Sequence, residues 1–301
     1  MIRAFFFDYE KQLLNALSKL LNNHYHTTRF IRTPHSSSIV EEYFPSFRRV
    51  GYFSLALSGG EAINKMLRYW HNHPSEIDFT YDTEYYWLNE CCVPYNDEQS
   101  VYGNAHQAFF SHTYIPPERI HPIRYYGQPE DEIHRYAAQL PSSSGIQYNP
   151  TLHLEDSNRT LTNFCSPYHC AVITLDNNHM IPTTSVNSPL IFSNTLYYTY
   201  KNTDTQHTHI AASIELLSKI PRIVIVLIGQ DDSHIIEDLY YGNNTSHPMI
   251  QLLLQHPNVH ILVDNKKMET VIYPGRQSFG YFFPHGKINL TNTPLGEFLN
   301  L

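Results

Sequence analysis

The segment Leu55-Ala-Leu-Ser-Gly-Gly-Glu61 runs from an apolar stretch directly into the turn Ser58-Gly59-Gly60. A short apolar run predicts a buried strand, and residues 62–69 have the spacing of a helix. Glycines let the backbone N–H groups of such a turn approach an anion at the mouth of the helix. The segment therefore predicts an α/β fold with a ligand site after this strand. A plain strand-to-helix turn has the same residues, so that alternative stays open here.

Strand and helix patterns alternate along the chain. Apolar runs predict strands over 53–57, within 77–88, and over 171–175 and 222–228, whereas helical periodicity covers 9–23, 61–70, 103–111, 130–139 and 210–219. This alternation predicts an α/β, doubly wound and mostly parallel sheet with helices on both faces. With 301 residues, 42% of them hydrophobic, the chain can bury a core for one large domain or two small ones.

Two further segments follow the Ser-Gly-Gly turn along the chain. They are residues 86–94 (YWLNECCVP) and residues 170–179 (CAVITLDNNH). Together with the Ser-Gly-Gly turn they resemble the family of 6-phosphogluconolactonase and glucosamine-6-phosphate deaminase, whose members carry S-G-G, then D-E-R/Y-x-V-P, then G-x-G-x-D/N-G-H. Residues matching the family pattern are Glu90, Val93, Pro94, Ser100, His121 and His179. The resemblance spans roughly residues 1–270 and implies a 6-phosphogluconolactonase-like fold.

The resemblance implies an activity on a sugar lactone or sugar phosphate, with hydrolysis of the lactone ester. His179 would take a proton from water and return it to the leaving hydroxyl. Asn89 and Glu90 would orient the reacting groups, with Asp176 and Asn177 close to the histidine in sequence. The turn Ser58-Gly59-Gly60, together with Ser100, would bind the ligand. For His179 a structural role as an ordinary core or surface histidine stays open.

The positions that contact phosphate in the family are changed in this chain. They align with Glu61, Cys91, His209 and Asp232 or Ser233. A carboxylate beside an anion site would repel a phosphate by a few kcal/mol at an effective dielectric constant of about 20. A second interpretation is therefore a pseudoenzyme that binds a sugar-like ligand or a protein partner. Residues 180–186 contain no acidic side chain, which disfavours the deaminase reaction in particular.

Composition excludes some partners and compartments. The formal net charge is −8 without a cluster of basic residues, so we expect no nucleic-acid partner. The four cysteines are too few for a secreted disulfide framework, and we expect Cys91 and Cys92 to fill core positions. The nineteen histidines and the cysteines do not form two ligand pairs with the spacing of a zinc site, so we expect no metal and no cofactor. No stretch approaches 18 apolar residues, which favours a cytoplasmic protein without membrane contact.

The domain prediction is one α/β domain over 1–272 followed by a C-terminal extension over 273–301. The extension contains the apolar stretch 279–284, which we expect to dock on the body or on a second copy as a homodimer contact. Residues 180–208 have a loop-like composition and include Tyr197, Tyr198 and Tyr200. These tyrosines either close over the sugar or pack on the edge of the sheet.

Overall fold

The computed structural model describes residues 2–7, 9–29, 52–125, 127–140, 166–176, 180–181, 195–202, 205–229, 235–236, 238–239, 244–264, 281–282 and 288–291. Its strands are β1 (Ile2–Phe7), β2 (Phe53–Leu57), β3 (Thr83–Trp87), β4 (Asn89–Cys91), β5 (Ile120–His121), β6 (Cys170–Ile173), β7 (Tyr197–Lys201), β8 (Thr208–Ala212), β9 (Ile223–Leu227), β10 (Val259–Asp264), β11 (Tyr281–Phe282) and β12 (Ile288–Thr291). Its helices are α1 (Glu10–Arg29), α2 (Glu61–Asn72), α3 (Val101–Ala108), α4 (Pro129–Ala138), α5 (Ile214–Lys219) and α6 (Pro248–Gln255).

The main sheet has nine strands in the order β11-β12-β1-β10-β9-β6-β2-β3-β5. All neighbouring strands are parallel except β11 and β12. The central strands β2, β6, β9 and β10 are buried along their whole length. Continuous apolar runs are typical of parallel strands that are covered on both faces, which is why the sequence revealed them. The predicted α/β fold class is confirmed.

The order of the strands reverses between β2 and β6. From β2 the chain continues outward to β3, whereas from β6 it continues in the opposite direction to β9. Right-handed crossovers then place the two sets of connecting helices on opposite faces. In open α/β sheets such a switch point opens a crevice at the carboxyl ends of the strands. The turn Ser58-Gly59-Gly60 follows β2 at this crevice.

A second, three-stranded antiparallel sheet has the order β4-β8-β7. The predicted helix over 210–219 is wrong in its first part, because residues 208–212 form β8 between β4 and β7. The helix α5 begins only after Ser213, whose hydroxyl oxygen accepts the N–H of Leu216 at 3.2 Å. The idea that Tyr197 and Tyr198 close over a sugar is wrong as well, since both side chains are buried in β7.

The described part of the C-terminal extension joins the main sheet. The strand β12 pairs in parallel with β1, and β11 pairs with β12 in the antiparallel direction. The extension therefore docks on the body of the same chain through these strands. Residues 279–280 and 283–284 of the apolar stretch lie outside the described residues, and the domain boundary and the homodimer contact stay predictions. In the described part of the chain, no helix has the length and apolar character that crossing a membrane requires.

Candidate functional site

The turn after β2 is fastened to the strand on the other side of the switch point. Ser58 is buried, and its N–H donates to the carbonyl oxygen of Val172 at 3.0 Å. Its hydroxyl accepts the N–H of Thr174 at 3.0 Å and donates to the carbonyl oxygen of Gly59 at 2.9 Å. Gly60 has a φ of 112°, a conformation that glycine adopts without strain, and it directly precedes α2. The predicted turn thus lies where β2 and β6 end.

Asn89 reaches this turn from β4. Its side-chain oxygen accepts the N–H of Gly59 at 2.8 Å, and both residues are buried. A Cβ on Gly59 would lie 2.7 Å from Cγ2 of Val101 and 3.2 Å from Nδ2 of Asn89, so only glycine fits there without a shift. Asn89 therefore orients the Ser-Gly-Gly turn, and it occupies one of the backbone N–H groups that an anion would otherwise use.

Glu90, the next residue of β4, reaches the first turn of α3. Its carboxylate accepts the N–H groups of Cys91 at 2.9 Å, Val101 at 2.6 Å and Tyr102 at 2.8 Å. Burial raises the pKa of the Glu90 carboxyl to about 8, although these donors favour the charged form. Ser100 caps the same helix, because its hydroxyl accepts the N–H of Gly103 at 3.0 Å. Glu90 and Ser100 thus hold the amino terminus of α3.

Cys91 and His209 face each other across β4 and β8. The Cys91 sulfur lies 4.0 Å from Nε2 of His209 and 3.7 Å from Nδ1 of His207. Burial raises the pKa of the Cys91 thiol to about 12 and lowers the pKa of His209 to about 4. Both groups are therefore neutral near pH 7. The structure brings together two positions that the sequence assigned to phosphate binding, and neither carries a positive charge.

Glu61 is exposed and forms an ion pair with Arg68, two turns further along α2. The carboxylate is thus partly neutralised, which reduces the repulsion of an anion that the sequence predicted. Lys65, on the same helix, pairs with Glu10 at 2.9 Å. Its amine also lies at the end of β9, since a Cβ on Gly229 would be 3.5 Å from Nζ.

Gly229 was not among the site residues that the sequence predicted. It has a φ of 72°, and its N–H donates to the Asp264 carboxylate at 3.2 Å. The signal available in the sequence was a glycine directly after the apolar run of β9, the type of residue that turns the chain at a sheet edge. The carboxyl ends of β9 and β10 are therefore joined next to the Lys65 amine.

Asp176 lies two residues after Thr174, so it follows β6 at the same edge as Ser58. Its backbone N–H donates to Met180 at 2.7 Å, and its carboxylate accepts the Met180 N–H at 3.1 Å. The predicted catalytic residues between them, Asn177 and His179, lie outside the described residues, as do Asp232 and Ser233. The arrangement brings Asp176 and the Ser-Gly-Gly turn to one edge.

His121, also singled out in the sequence, is on the edge strand β5. Its ring stacks on Tyr86 with centroids 4.4 Å apart, and burial lowers its pKa. Within the described ranges, no group of three or more His, Cys, Asp or Glu side chains is arranged to hold a metal ion. Among the described residues, this edge of the sheet offers hydrogen-bond donors, the Asp176 carboxylate and the Lys65 amine around a switch point.

Comparison with known proteins agrees with this architecture. The family model described as glucosamine-6-phosphate isomerases/6-phosphogluconolactonase matches residues 34–155. The 6-phosphogluconolactonase of Treponema pallidum is 31% identical over 97 residues, which are 31% of this chain and 40% of that protein. The solved 6-phosphogluconolactonase of Trypanosoma brucei superposes with a TM-score of 0.65 at 12% identity, over 90% of this chain and 99% of that one.

The resemblance to this family is confirmed. A monomeric glucosamine-6-phosphate deaminase also superposes, with a TM-score of 0.59 at 16% identity, over 90% of this chain and all of that chain. The 6-phosphogluconolactonase-like fold therefore extends over nearly the whole chain, whereas the sequence match spans about two fifths of the length of the curated 6-phosphogluconolactonase from Treponema pallidum.

Proposed function

We propose that this 6-phosphogluconolactonase-like chain binds a sugar lactone or sugar phosphate at the carboxyl ends of β2 and β6, and that it hydrolyses the lactone ester. The observation that carries the proposal is the bond between Ser58 Oγ and the Thr174 N–H at 3.0 Å. It ties the Ser-Gly-Gly turn to the segment that leads to Asp176 and His179. Ligands of open α/β sheets bind at such a switch point.

The proposed reaction is the addition of water to the lactone carbonyl. His179 removes a proton from the water as its oxygen bonds to the carbonyl carbon, giving a tetrahedral intermediate. When the carbonyl re-forms, the bond to the ring oxygen breaks and the protonated His179 returns the proton to that oxygen. Asp176 precedes His179 by three residues in the sequence, and we propose that its carboxylate orients the imidazole. The product is the open-chain acid.

Binding would depend on hydrogen bonds more than on charge. Cys91 and His209 are buried and neutral, so they supply no counter-charge to a phosphate. The Lys65 amine is the cation next to Gly229, but Glu10 already pairs with it at 2.9 Å. We therefore propose that the ligand is bound mainly through its hydroxyl groups, and that a phosphate on it adds little affinity.

A second candidate is a pseudoenzyme that binds a similar ligand without turnover. It is favoured by the hydrogen bonds of Asn89 and Glu90, since the amide oxygen of Asn89 accepts a backbone N–H and the carboxylate of Glu90 accepts three. Both side chains stabilise the local backbone. In this candidate the site keeps its shape, and the reaction is lost.

Hydrolysis assays separate the two candidates. Hydrolysis of gluconolactone and of its 6-phosphate is followed by acid release, with His179→Ala and the exposed His134→Ala as a matched control. We expect the wild type and His134→Ala to exceed the spontaneous rate and His179→Ala to lose at least about a hundredfold. We also expect less than about tenfold preference for the phosphorylated lactone. Binding of gluconate without any hydrolysis would establish the pseudoenzyme instead.

A further inference from the structure

A cavity of about 400 Å³ lies at the opposite edge of the main sheet, away from the Ser-Gly-Gly turn. It is bounded by the second half of α1 and by the amino ends of β1, β9 and β10. Its polar lining consists mainly of Arg3, Asn23, His24, Arg222, Asn258 and His260. Cavities of this size are in the range that holds small organic ligands. The proposed lactone site accounts for none of these residues.

The register of the strands explains why the basic side chains meet. Arg3 on β1 is the partner of His260 on β10, and His260 is the partner of Val224 on β9. Registered neighbours point to the same face of a sheet, and so does Arg222, two residues before Val224. The two arginines and His260 therefore face the same helix, α1, which contributes His24.

The two arginines have no carboxylate partner among the described residues. Arg222 is instead held by α1, because its Nη1 donates to the hydroxyl oxygen of Thr28 at 2.8 Å and its Nη2 to that of Thr27 at 3.4 Å. For Arg3 the described residues provide no ion pair either. Two guanidinium groups thus line one cavity without a neutralising charge, a combination that favours an anionic ligand.

The two histidines add neutral donors to this lining. Both are at least nine-tenths buried, with ring centroids 5.7 Å apart, and His260 also stacks on Phe5 at 6.1 Å. Burial and the neighbouring arginines lower the pKa of His24 to about 3 and that of His260 to about 4. Nδ1 of His260 has no hydrogen-bond partner in the described structure. A buried polar atom without a partner is costly unless a ligand or water satisfies it.

We propose that this cavity is a binding site for a small organic phosphate. A phosphate monoester carries about −1.5 to −2 charges at pH 7, which matches the two unpaired guanidinium groups. Its oxygens accept the parallel N–H groups of an arginine, while the cavity leaves room for the organic part. This site is independent of the lactone site and of the function proposed for it.

The test uses inorganic phosphate as the probe and the full chain as the protein. Calorimetric titration and thermal unfolding are measured at pH 7.5 against chloride of equal ionic strength, because bound ligand raises the melting temperature. We expect phosphate to bind the wild type, and Arg3→Gln and Arg222→Gln each to weaken binding by at least about tenfold. Lys19→Gln on α1, which removes a charge outside the cavity lining, should bind like the wild type.

Two further arms decide the outcome. Among the described residues Arg3 makes no side-chain hydrogen bond or ion pair, so Arg3→Gln remains informative if Arg222→Gln unfolds after losing its contacts with Thr27 and Thr28. Equal phosphate binding by the wild type and Arg3→Gln would overturn the site. Binding lost in Lys65→Gln and retained in Arg3→Gln would also overturn it, since phosphate would then occupy the other edge. Tighter binding of malonate than of phosphate would overturn the assignment to a phosphate ligand.

Discussion

The side-chain oxygen of Asn89 accepts the backbone N–H of Gly59 at 2.8 Å, across 30 residues of sequence. The bond connects the first residue of β4 to the turn that ends β2, and it fixes the turn from the side opposite to Thr174. In the family resemblance, Asn89 stands where the members have the aspartate of D-E-R. An amide in place of that carboxylate still accepts this hydrogen bond, so the turn keeps its support without the negative charge of an aspartate at this position.

The first prediction is that Asn89→Ala destabilises the fold by about 1–3 kcal/mol, because the buried N–H of Gly59 loses its acceptor. The free energy of unfolding is measured by urea denaturation. Asn104→Ala is the control, since that amide donates to a backbone carbonyl at an exposed position. If the two variants were equally stable, the bond from Asn89 would have no part in holding the turn.

The second prediction concerns the close contact between Gly59 and α3. Gly59→Ala places a Cβ 2.7 Å from Cγ2 of Val101, which we expect to cost about 1–3 kcal/mol through overpacking. Adding Val101→Ala should recover part of this loss, because the obstacle is a side chain. Gly103→Ala cannot be relieved in this way, since its Cβ would lie 1.9 Å from the backbone oxygen of Tyr95. A double-mutant cycle without coupling between Gly59 and Val101 would refute the contact.

The sequence predicted the fold where apolar runs are unambiguous. The leucine stripe of 9–23 lies within α1, and the strands over 53–57 and 222–228 correspond to β2 and β9. It failed over residues 210–212, an apolar triplet too short for periodicity to separate strand from helix. Pairing with β4 and β7 decides that segment, and such long-range pairing is not visible in a single sequence.

The candidate site was predictable only in part. The position of the Ser-Gly-Gly turn followed from local sequence, and the structure places it at the switch point. The hydrogen bonds of Glu90 did not follow, because a carboxylate in a family motif is compatible with chemistry or with capping a helix that begins eleven residues later. The cavity between Arg3 and Arg222 was equally hidden, since strand register brings together residues that are 219 positions apart.

The third prediction is a pH dependence that originates at His260. Its pKa is lowered from 6.5 to about 4 by burial and by Arg3 and Arg222, so the unfolded chain binds this proton more tightly. Stability from this group is therefore complete above about pH 6.5 and decreases as the pH falls toward about 4. The difference in unfolding free energy between wild type and His260→Asn should change by up to about 1.4 kcal/mol per pH unit in this window. A difference independent of pH would contradict the burial of a neutral imidazole.

The fourth prediction is that the amine of Lys65 contributes to the binding of an anionic ligand. Lys65→Gln should weaken binding of 6-phosphogluconate by no more than about tenfold, because it removes an amine beside Gly229 that Glu10 already pairs with. Lys219→Gln is the matched control, as that lysine also pairs with a glutamate, at 3.3 Å, but lies at the end of α5. Identical affinities in calorimetry for Lys65→Gln and Lys219→Gln would show that Lys65 does not contact the ligand.

A crystal structure of the protein with gluconate would show whether a sugar acid or lactone binds where β2 and β6 diverge. We expect electron density for gluconate against the turn Ser58-Gly59-Gly60, with the ligand between this turn and the segment that follows Asp176. Density only in the cavity lined by Arg3 and Arg222, or no gluconate density at a saturating concentration established by calorimetry, would contradict it.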